Sequence, residues 1–325
     1  MRRTIVRILW ALLAAGILAM AVIFFAINKG WIGYVPPVED LENPEYKFAS
    51  QIISVDGVQL GTFSYSGENR VWVDYEELAP CLVNALIATE DVRFGKHSGI
   101  DLRSLVRAVV KRGVLRQHTA GGGSTLTQQL AKQLYTEVAG SSLERLFQKP
   151  IEWVIAVKLE KYYTKEEILT MYLNKYDFGN NAIGIKTATN TYFAKEPSEL
   201  SPEEAATLVG MCKNSSLYNP IRRPELSRQR RDVVLGQMEK NGYISHEEAD
   251  EYRAKDLVLN YRRVDHKTGL APYFREYLRG VMTATKPERK NYRGWQEQKW
   301  YEDSIDWATN PLYGWCNKNL KKDDK

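Results

Sequence analysis

The sequence predicts a mainly α fold, with one N-terminal transmembrane helix and a small N-terminal β-hairpin region ahead of a helical domain. Three observations carry this. Ile8 to Ile27 is an apolar run of 20 residues without a charge, long enough at ~1.5 Å per residue to cross a ~30 Å hydrocarbon core. Capping-box patterns at Thr164–Glu167, Ser201–Glu204 and Ser245–Glu248 mark helix starts, the first two followed by apolar residues at helical spacing. A strand-like pattern with a turn signal is confined to Gln51–Phe63.

Taken in order, residues 1–28 form a cytoplasmic tip and signal anchor. Arg2, Arg3 and Arg7 precede the apolar run, so the positive-inside rule keeps the N-terminus cytoplasmic and places the rest outside. A cleaved signal peptide is the competing reading. The run is too long for an ordinary h-region, and no small-x-small site follows it.

Residues 29–75 are expected to hold a stalk, with Pro36 and Pro37, and then the hairpin. Asp56-Gly57 signals a type I′ turn, and Arg70–Val73 is expected to add a strand. Residues 76–260 are helical. Ile151, Val154, Ile155, Leu159 and Tyr162 form an apolar stripe at helical spacing. Residues 261–325 are polar and rich in Trp and Tyr, and read as a linker or tail without a complete second domain.

Composition narrows the function. The net charge of +5 and the absence of a Lys/Arg block argue against a nucleic-acid partner and suit an anionic membrane surface or substrate. Cys81, Cys212 and Cys316 are far apart, and the four histidines show no paired spacing, which argues against zinc. Cys81 and Cys212 lie in apolar contexts and read as small core residues.

The chemistry-bearing stretch is Thr89–Asp101. Glu90 and Asp91 directly follow the apolar run Ala85–Ala88, and Phe94, His97, Gly99 and Asp101 follow closely. A carboxylate at the end of a buried helix suits a general base. Taken alone, it is more often a solvated helix end, and the company of Phe94, His97, Gly99 and Asp101 is what favours the base. His97 alone reads as a hydrogen-bonded structural histidine.

Downstream, beyond the basic stretch Lys111–Arg116, Gly122, Gly123, Ser124, Thr125 and Lys132 read as a loop and helix able to hold a diphosphate through backbone N–H groups, the Ser124 hydroxyl and the Lys132 ammonium. No Gly-Lys-Ser/Thr triplet makes this a nucleotide P-loop. A flexible linker capped by Ser124 is the alternative. Lys149 and Glu152 share a helix face, as an exposed ion pair also would, and Pro150 between them opens or kinks that helix. Lys267-Thr-Gly269 matches a transpeptidase triplet, but the Ser-x-x-Lys partner is missing from the chain, so the match is attributed to chance.

Together these motifs resemble the peptidoglycan glycosyltransferases of glycosyltransferase family 51, the domain of class A penicillin-binding proteins and of monofunctional glycosyltransferases. They comprise Glu90-Asp91 with Phe94, His97 and Gly99–Asp101; Gly122–Gln129 with Lys132; Lys149, Glu152 and Leu159-Glu160; Ile168–Asn174 with Phe178-Gly179; and Ala182–Ile185 with Tyr192-Phe193, Lys195 and Glu204. The resemblance covers roughly residues 50–257.

It implies a lysozyme-like domain that polymerises lipid II into a glycan strand, inverting C1 and releasing undecaprenyl diphosphate. It implies Glu90 as base on the acceptor 4-hydroxyl, and Glu152 with Lys149 assisting the leaving diphosphate. Arg107 and Lys132 would contact the donor diphosphate, with Ser124, Gln128 and Gln129 lining the site and Asp91 and Phe94 shaping it. It further implies a divalent cation, Mg or Mn, at the donor diphosphate, and a single-pass inner-membrane location with a periplasmic catalytic domain. Lipid II and the nascent glycan strand are the expected partners, with transpeptidases and other cell-wall synthesis proteins beside them.

Three departures stand out. Gln148 occupies a position usually held by Arg, for which Arg145 is a nearby substitute. Asn180-Asn181 stands where another Gly is usual. After Gly269–Arg275, which resembles an inter-domain linker, no transpeptidase domain follows. The rival readings are a lytic transglycosylase or lysozyme, which cleaves glycan, and an inactive membrane-anchored scaffold.

Overall fold

The computed structural model describes residues 2–37, 50–57, 59–63, 71–108, 123–136, 142–262 and 270–319. It is mainly helical, as expected. The chain divides into two compact units, Met1–Tyr46 with Arg70–Arg262, and Lys47–Asn69 with Arg263–Lys325. The hairpin therefore groups with the C-terminal segment and not with the stalk, a division that differs from the boundaries expected at 28, 75 and 260.

The first unit begins with α1 (Arg2–Asn28), whose apolar stretch is long enough to cross a membrane. Then follow α2 (Pro80–Glu90), α3 (Leu102–Ala108), α4 (Leu126–Tyr135), α5 (Ser142–Tyr162), α6 (Lys165–Lys175), α7 (Ile185–Phe193), α8 (Pro202–Met211), α9 (Pro224–Lys240) and α10 (His246–Ala254). Helix α2 starts with Pro80 at its first position, where a missing N–H costs nothing. It packs against α8 and α9, while α4 packs against α5 and α6.

Leu82, Ala85, Leu86 and Ala88 of α2 are fully buried, as are Leu126 and Leu130 of α4 and Ile155 and Leu159 of α5. Tyr162, at the end of the expected stripe, is exposed. Helix α5 runs through Pro150 without ending there.

The three capping boxes form. In each, the glutamate accepts the N-cap N–H: Thr164 to Glu167 at 2.7 Å, Ser201 to Glu204 at 3.0 Å and Ser245 to Glu248 at 2.7 Å. After Gly179, Asn180 and Asn181 both adopt left-handed backbone, with φ 51° and 65°. Asparagine tolerates this region better than most residues, which is why it can stand where glycine is usual.

Two local expectations are corrected. Residues 71–74 form no strand; the Asn174 amide takes both backbone groups of Val73, accepting its N–H at 3.0 Å and donating to its carbonyl at 2.8 Å. A side chain thus satisfies the backbone that a strand partner would have paired.

The second unit contains the antiparallel pair β1 (Ser50–Ile53) and β2 (Gln59–Phe63), in register Ser50 with Phe63 and with an irregularity between Ile52 and Ile53. The turn is not type I′, which needs φ > 0 at both central residues. Gly57 has φ 82° but Asp56 does not, and the Gly57 N–H donates to the Ser54 carbonyl at 2.9 Å. This unit also holds α11 (Pro272–Met282), α12 (Glu297–Thr309) and α13 (Trp315–Asn319), with α11 packed against β2 and α13.

Candidate active site

Glu90 is the last residue of α2, so the buried length of that helix aims its side chain out of the core. The carboxylate remains largely enclosed, with a side-chain exposure of 16%. Gln129 of α4 donates from Nε2 to Glu90 Oε2 at 3.1 Å. On the other oxygen, Arg230 Nη2 of α9 stands 3.7 Å from Oε1.

Gln129 is itself oriented. Tyr172 of α6 donates its hydroxyl to Gln129 Oε1 at 3.1 Å. Burial pushes the Tyr172 phenol well above its ordinary range, with the nearby Cys212 and Glu90 adding to the shift. The phenol therefore stays protonated and acts as a donor. Its bond to the amide oxygen turns the amide NH₂ toward Glu90.

Asp91 points elsewhere. It leaves the helix with φ −155° and ψ 74°. Its Oδ2 accepts the N–H of Leu126, the first residue of α4, at 3.0 Å and lies 3.0 Å from His97 Nε2. Asp91 thus anchors the helix that carries Gln129. Phe94 is buried and meets the His97 ring edge-on, and the Lys165 ammonium lies 4.3 Å from the Phe94 ring centre.

Gly99 is needed where it stands. Its φ is +88°, and a Cβ would come within 2.8 Å of the Ala156 backbone on α5. Its carbonyl accepts Thr125 Oγ1–H at 2.7 Å and Gln128 Nε2–H at 3.0 Å. Gln128 is accordingly buried and tied to the backbone, whereas the resemblance implies a residue lining the site. Thr125, not Ser124, caps α4, accepting the Gln128 N–H at 3.2 Å.

Asp101 accepts the Arg103 N–H at 3.1 Å and the Ser104 hydroxyl at 2.6 Å, and Arg93 lies 3.5 Å away. Burial alone would raise its pKa, but the Ser104 hydrogen bonds, Arg93 and the Arg103 N–H together outweigh it and hold the carboxyl below its usual value. Arg107 is exposed on α3 and donates to Ser104 Oγ at 3.1 Å.

A second cluster lies on α5. Lys149 Nζ is 2.7 Å from Glu152 Oε2 and donates to Ser124 Oγ at 3.1 Å. Glu152 has no solvent exposure, whereas the Lys149 side chain is 31% exposed. The pair is therefore not the surface ion pair that its spacing also allowed. It is a buried carboxylate holding an ammonium that reaches solvent beside the Ser124 hydroxyl.

Lys132 is exposed on α4. The N–H groups of Leu126 and Gln128 are already taken by Asp91 and Thr125, so positive charge here comes from side chains more than from the helix end. Gly121, Gly122, Lys111–Arg116, Lys267–Gly269 and the side chain of Arg145 lie outside the described residues. Among the described residues, no three His, Cys, Asp or Glu side chains converge to hold a metal ion.

The structure thus joins Glu90 with Gln129, and Ser124 with Lys149 and Glu152. Arg230, beside Glu90, escapes the sequence reading because it lies far downstream on a helix with no motif spacing linking it to Glu90. Its neighbour Arg231 is fully buried and donates to the Lys255 and Arg253 carbonyls, so the Arg-Arg pair alone does not reveal which member faces the site.

Residues 56–239 match the transglycosylase family. Penicillin-binding protein 1F of Bacillus subtilis is 37% identical over 230 residues, covering 71% of this chain and 31% of that protein. Penicillin-binding protein 1A of Escherichia coli is 34% identical over 249 residues, covering 76% and 28%. A crystal structure of penicillin-binding protein 1A from Haemophilus influenzae aligns over 74% of this chain and 24% of that one, at 24% identity and a TM-score of 0.38. The matched part spans about a third of the length of the curated relatives. The chain belongs to the transglycosylase family, with a glycosyltransferase domain related to that of the class A penicillin-binding proteins.

Proposed function

We propose that this domain is a membrane-anchored peptidoglycan glycosyltransferase that polymerises lipid II into β-1,4-linked glycan. The observation that carries the reading is the setting of Glu90, an enclosed carboxylate held by Gln129 on one oxygen and faced by Arg230 on the other. A base must be fixed in position before it can take a proton in the transition state.

In this reading Glu90 takes the proton of the acceptor 4-hydroxyl as that oxygen bonds to C1 of the donor sugar. The bond from C1 to the diphosphate oxygen breaks on the opposite face, so the configuration at C1 inverts, as in the two-sided logic of inverting glycosidases. Negative charge grows on the leaving diphosphate. Lys149, with Lys132 and Arg107 as further cations, and the Ser124 hydroxyl would stabilise it. Glu152 is fully enclosed and paired with Lys149, which suits a positioning role for that ammonium.

A divalent cation, Mg or Mn, is also proposed and would supply further positive charge to the leaving diphosphate; among the described residues no His, Cys, Asp or Glu cluster is built to hold it. The apolar α1 supports a single-pass anchor. Arg2, Arg3 and Arg7 support an orientation with the catalytic domain outside the inner membrane. Sharing a membrane with a lipid-linked substrate raises their effective concentration. Transpeptidases and other cell-wall synthesis proteins are the proposed partners.

The test is incubation of the detergent-solubilised protein with lipid II, with and without a chelator, followed by separation of the glycan products. Polymer with release of undecaprenyl diphosphate supports the reading. Shortening of finished strands supports the glycan-cleaving rival, and no reaction with either substrate supports a scaffold.

A further inference from the structure

The C-terminal end of α1 is fastened to α5. Ala26 and Ile27 are buried, although the rest of the apolar helix is largely exposed. Phe24 stacks on Trp153, with centroids 6.2 Å apart and planes 14° from parallel. Gly33, with φ +71°, lies so close to Ile151 that a Cβ there would overlap the isoleucine side chain.

Between the two helices runs a groove of about 400 Å³, walled by Phe24, Ile100, Trp153 and Val157 and edged by Lys158 and Lys161. That volume lies within the ~300–1,000 Å³ range of small-molecule sites.

Three features identify what fits. One wall is α1 itself, so the groove opens toward whatever surrounds that helix. Phe24 and Asn28 belong to its last turn, where hydrocarbon gives way to headgroups if α1 spans the bilayer. Lys158 and Lys161 stand three apart on α5, and among the described residues neither has an ion-pair or hydrogen-bond partner. Burial pulls the Lys158 ammonium below its ordinary range, so a counter-charge is favoured there. A mostly apolar groove against α1 whose lining also holds two cations without ion-pair partners among the described residues fits an amphiphile with an acyl chain and an anionic head.

We propose that this groove binds a phospholipid with an anionic headgroup from the outer leaflet, its acyl chain against Phe24, Trp153 and Val157 and its phosphate on Lys158 and Lys161. The bound lipid fixes the height of α5 above the bilayer. Lys149 and Glu152 lie one to three turns away on the same helix, so the lipid also sets the height of those site residues. The proposal rests on α1 crossing the membrane and is independent of the reaction assigned to Glu90.

The test uses the full chain, purified from nanodiscs of phosphatidylglycerol or of phosphatidylcholine and examined by native mass spectrometry. One phosphatidylglycerol per chain is expected to survive release, with at least tenfold less phosphatidylcholine retained. Lys158→Gln/Lys161→Gln abolishes this retention, and the double Arg variant keeps it, with thermal unfolding showing that both variants fold. Phosphatidylglycerol carrying a photoreactive acyl chain labels peptides containing Trp153 or Val157. Equal retention of the two lipids, retention by the Gln variant, labelling confined to residues 8–23, or displacement by a polyprenyl diphosphate each overturns the proposal. Normal lipid retention by a protein that fails to polymerise lipid II would overturn the reaction reading alone.

Discussion

Arg230 Nη2 stands 3.7 Å from Glu90 Oε1, joining a helix late in the first unit to the carboxylate at the end of α2. The Arg230 side chain is only 11% exposed and lies over the Tyr218 ring at 5.8 Å, so it is held in place rather than free to sample solvent. A cation this close to a carboxylate restrains it by charge attraction. Arg230→Met is expected to lower kcat by at least tenfold, with thermal unfolding near that of the parent. Arg230→Lys restores most of the rate. An unchanged kcat in a folded Met variant would contradict a role for Arg230 at Glu90.

Tyr172 acts on Glu90 through Gln129. Tyr172→Phe removes the hydroxyl that orients the amide and leaves Gln129 Oε1 without that donor. A lost hydrogen bond of this kind costs roughly 1–3 kcal/mol when the remaining partner stays buried. The expected result is a drop in kcat of about tenfold, with KM little changed. A rise in KM alone would place Tyr172 in binding.

The Lys149–Glu152 pair predicts a separation of stability from activity. Lys149→Met leaves Glu152 enclosed without its ammonium. Breaking a buried pair in this way costs about 3 kcal/mol, the low end because Lys149 reaches solvent. Adding Glu152→Gln is expected to recover most of the stability, read as denaturant midpoint, while polymerisation stays low. Recovery of both would remove Lys149 from the donor site.

Asp101 predicts a pH dependence of folding. Its carboxyl is held below the usual value in the folded state. Its contribution is therefore present above the ordinary carboxylate pKa and is lost as pH falls through the depressed one. Asp101→Asn is expected to cost about 1 kcal/mol at pH 7, comparable to loss of a helix cap, which amounts to roughly 2–4 °C in Tm for a domain of this size. In acid, the difference from the parent shrinks. A constant difference from pH 7 to pH 3 would contradict the assignment.

These residues also show what a sequence can reveal. The place of Glu90 at the end of an apolar helix is legible from the pattern, though the role proposed for it comes from the resemblance. Lys149 with Glu152 is legible because helical periodicity puts positions three apart on one face. Capping boxes are local chemistry and form where their residues stand. Arg230 and the Tyr172–Gln129–Glu90 chain are not legible, because tertiary packing of α2, α4, α6 and α9 brings them together. Val73 fails as a strand for the same reason, since its partner is a distant asparagine side chain. In sequence Ser124 reads as the cap. Thr125 takes the cap, and Ser124 is left for Lys149.

The most direct measurement is lipid II polymerisation by Glu90→Gln beside the parent protein. The amide keeps the size of the carboxylate and can still take the Gln129 N–H through its oxygen, so folding, read by thermal unfolding, should be near that of the parent. Polymer formation is expected to fall at least a thousandfold, with lipid II binding retained. Polymer at the parent rate from a folded Glu90→Gln variant would contradict the assignment of Glu90 as the base.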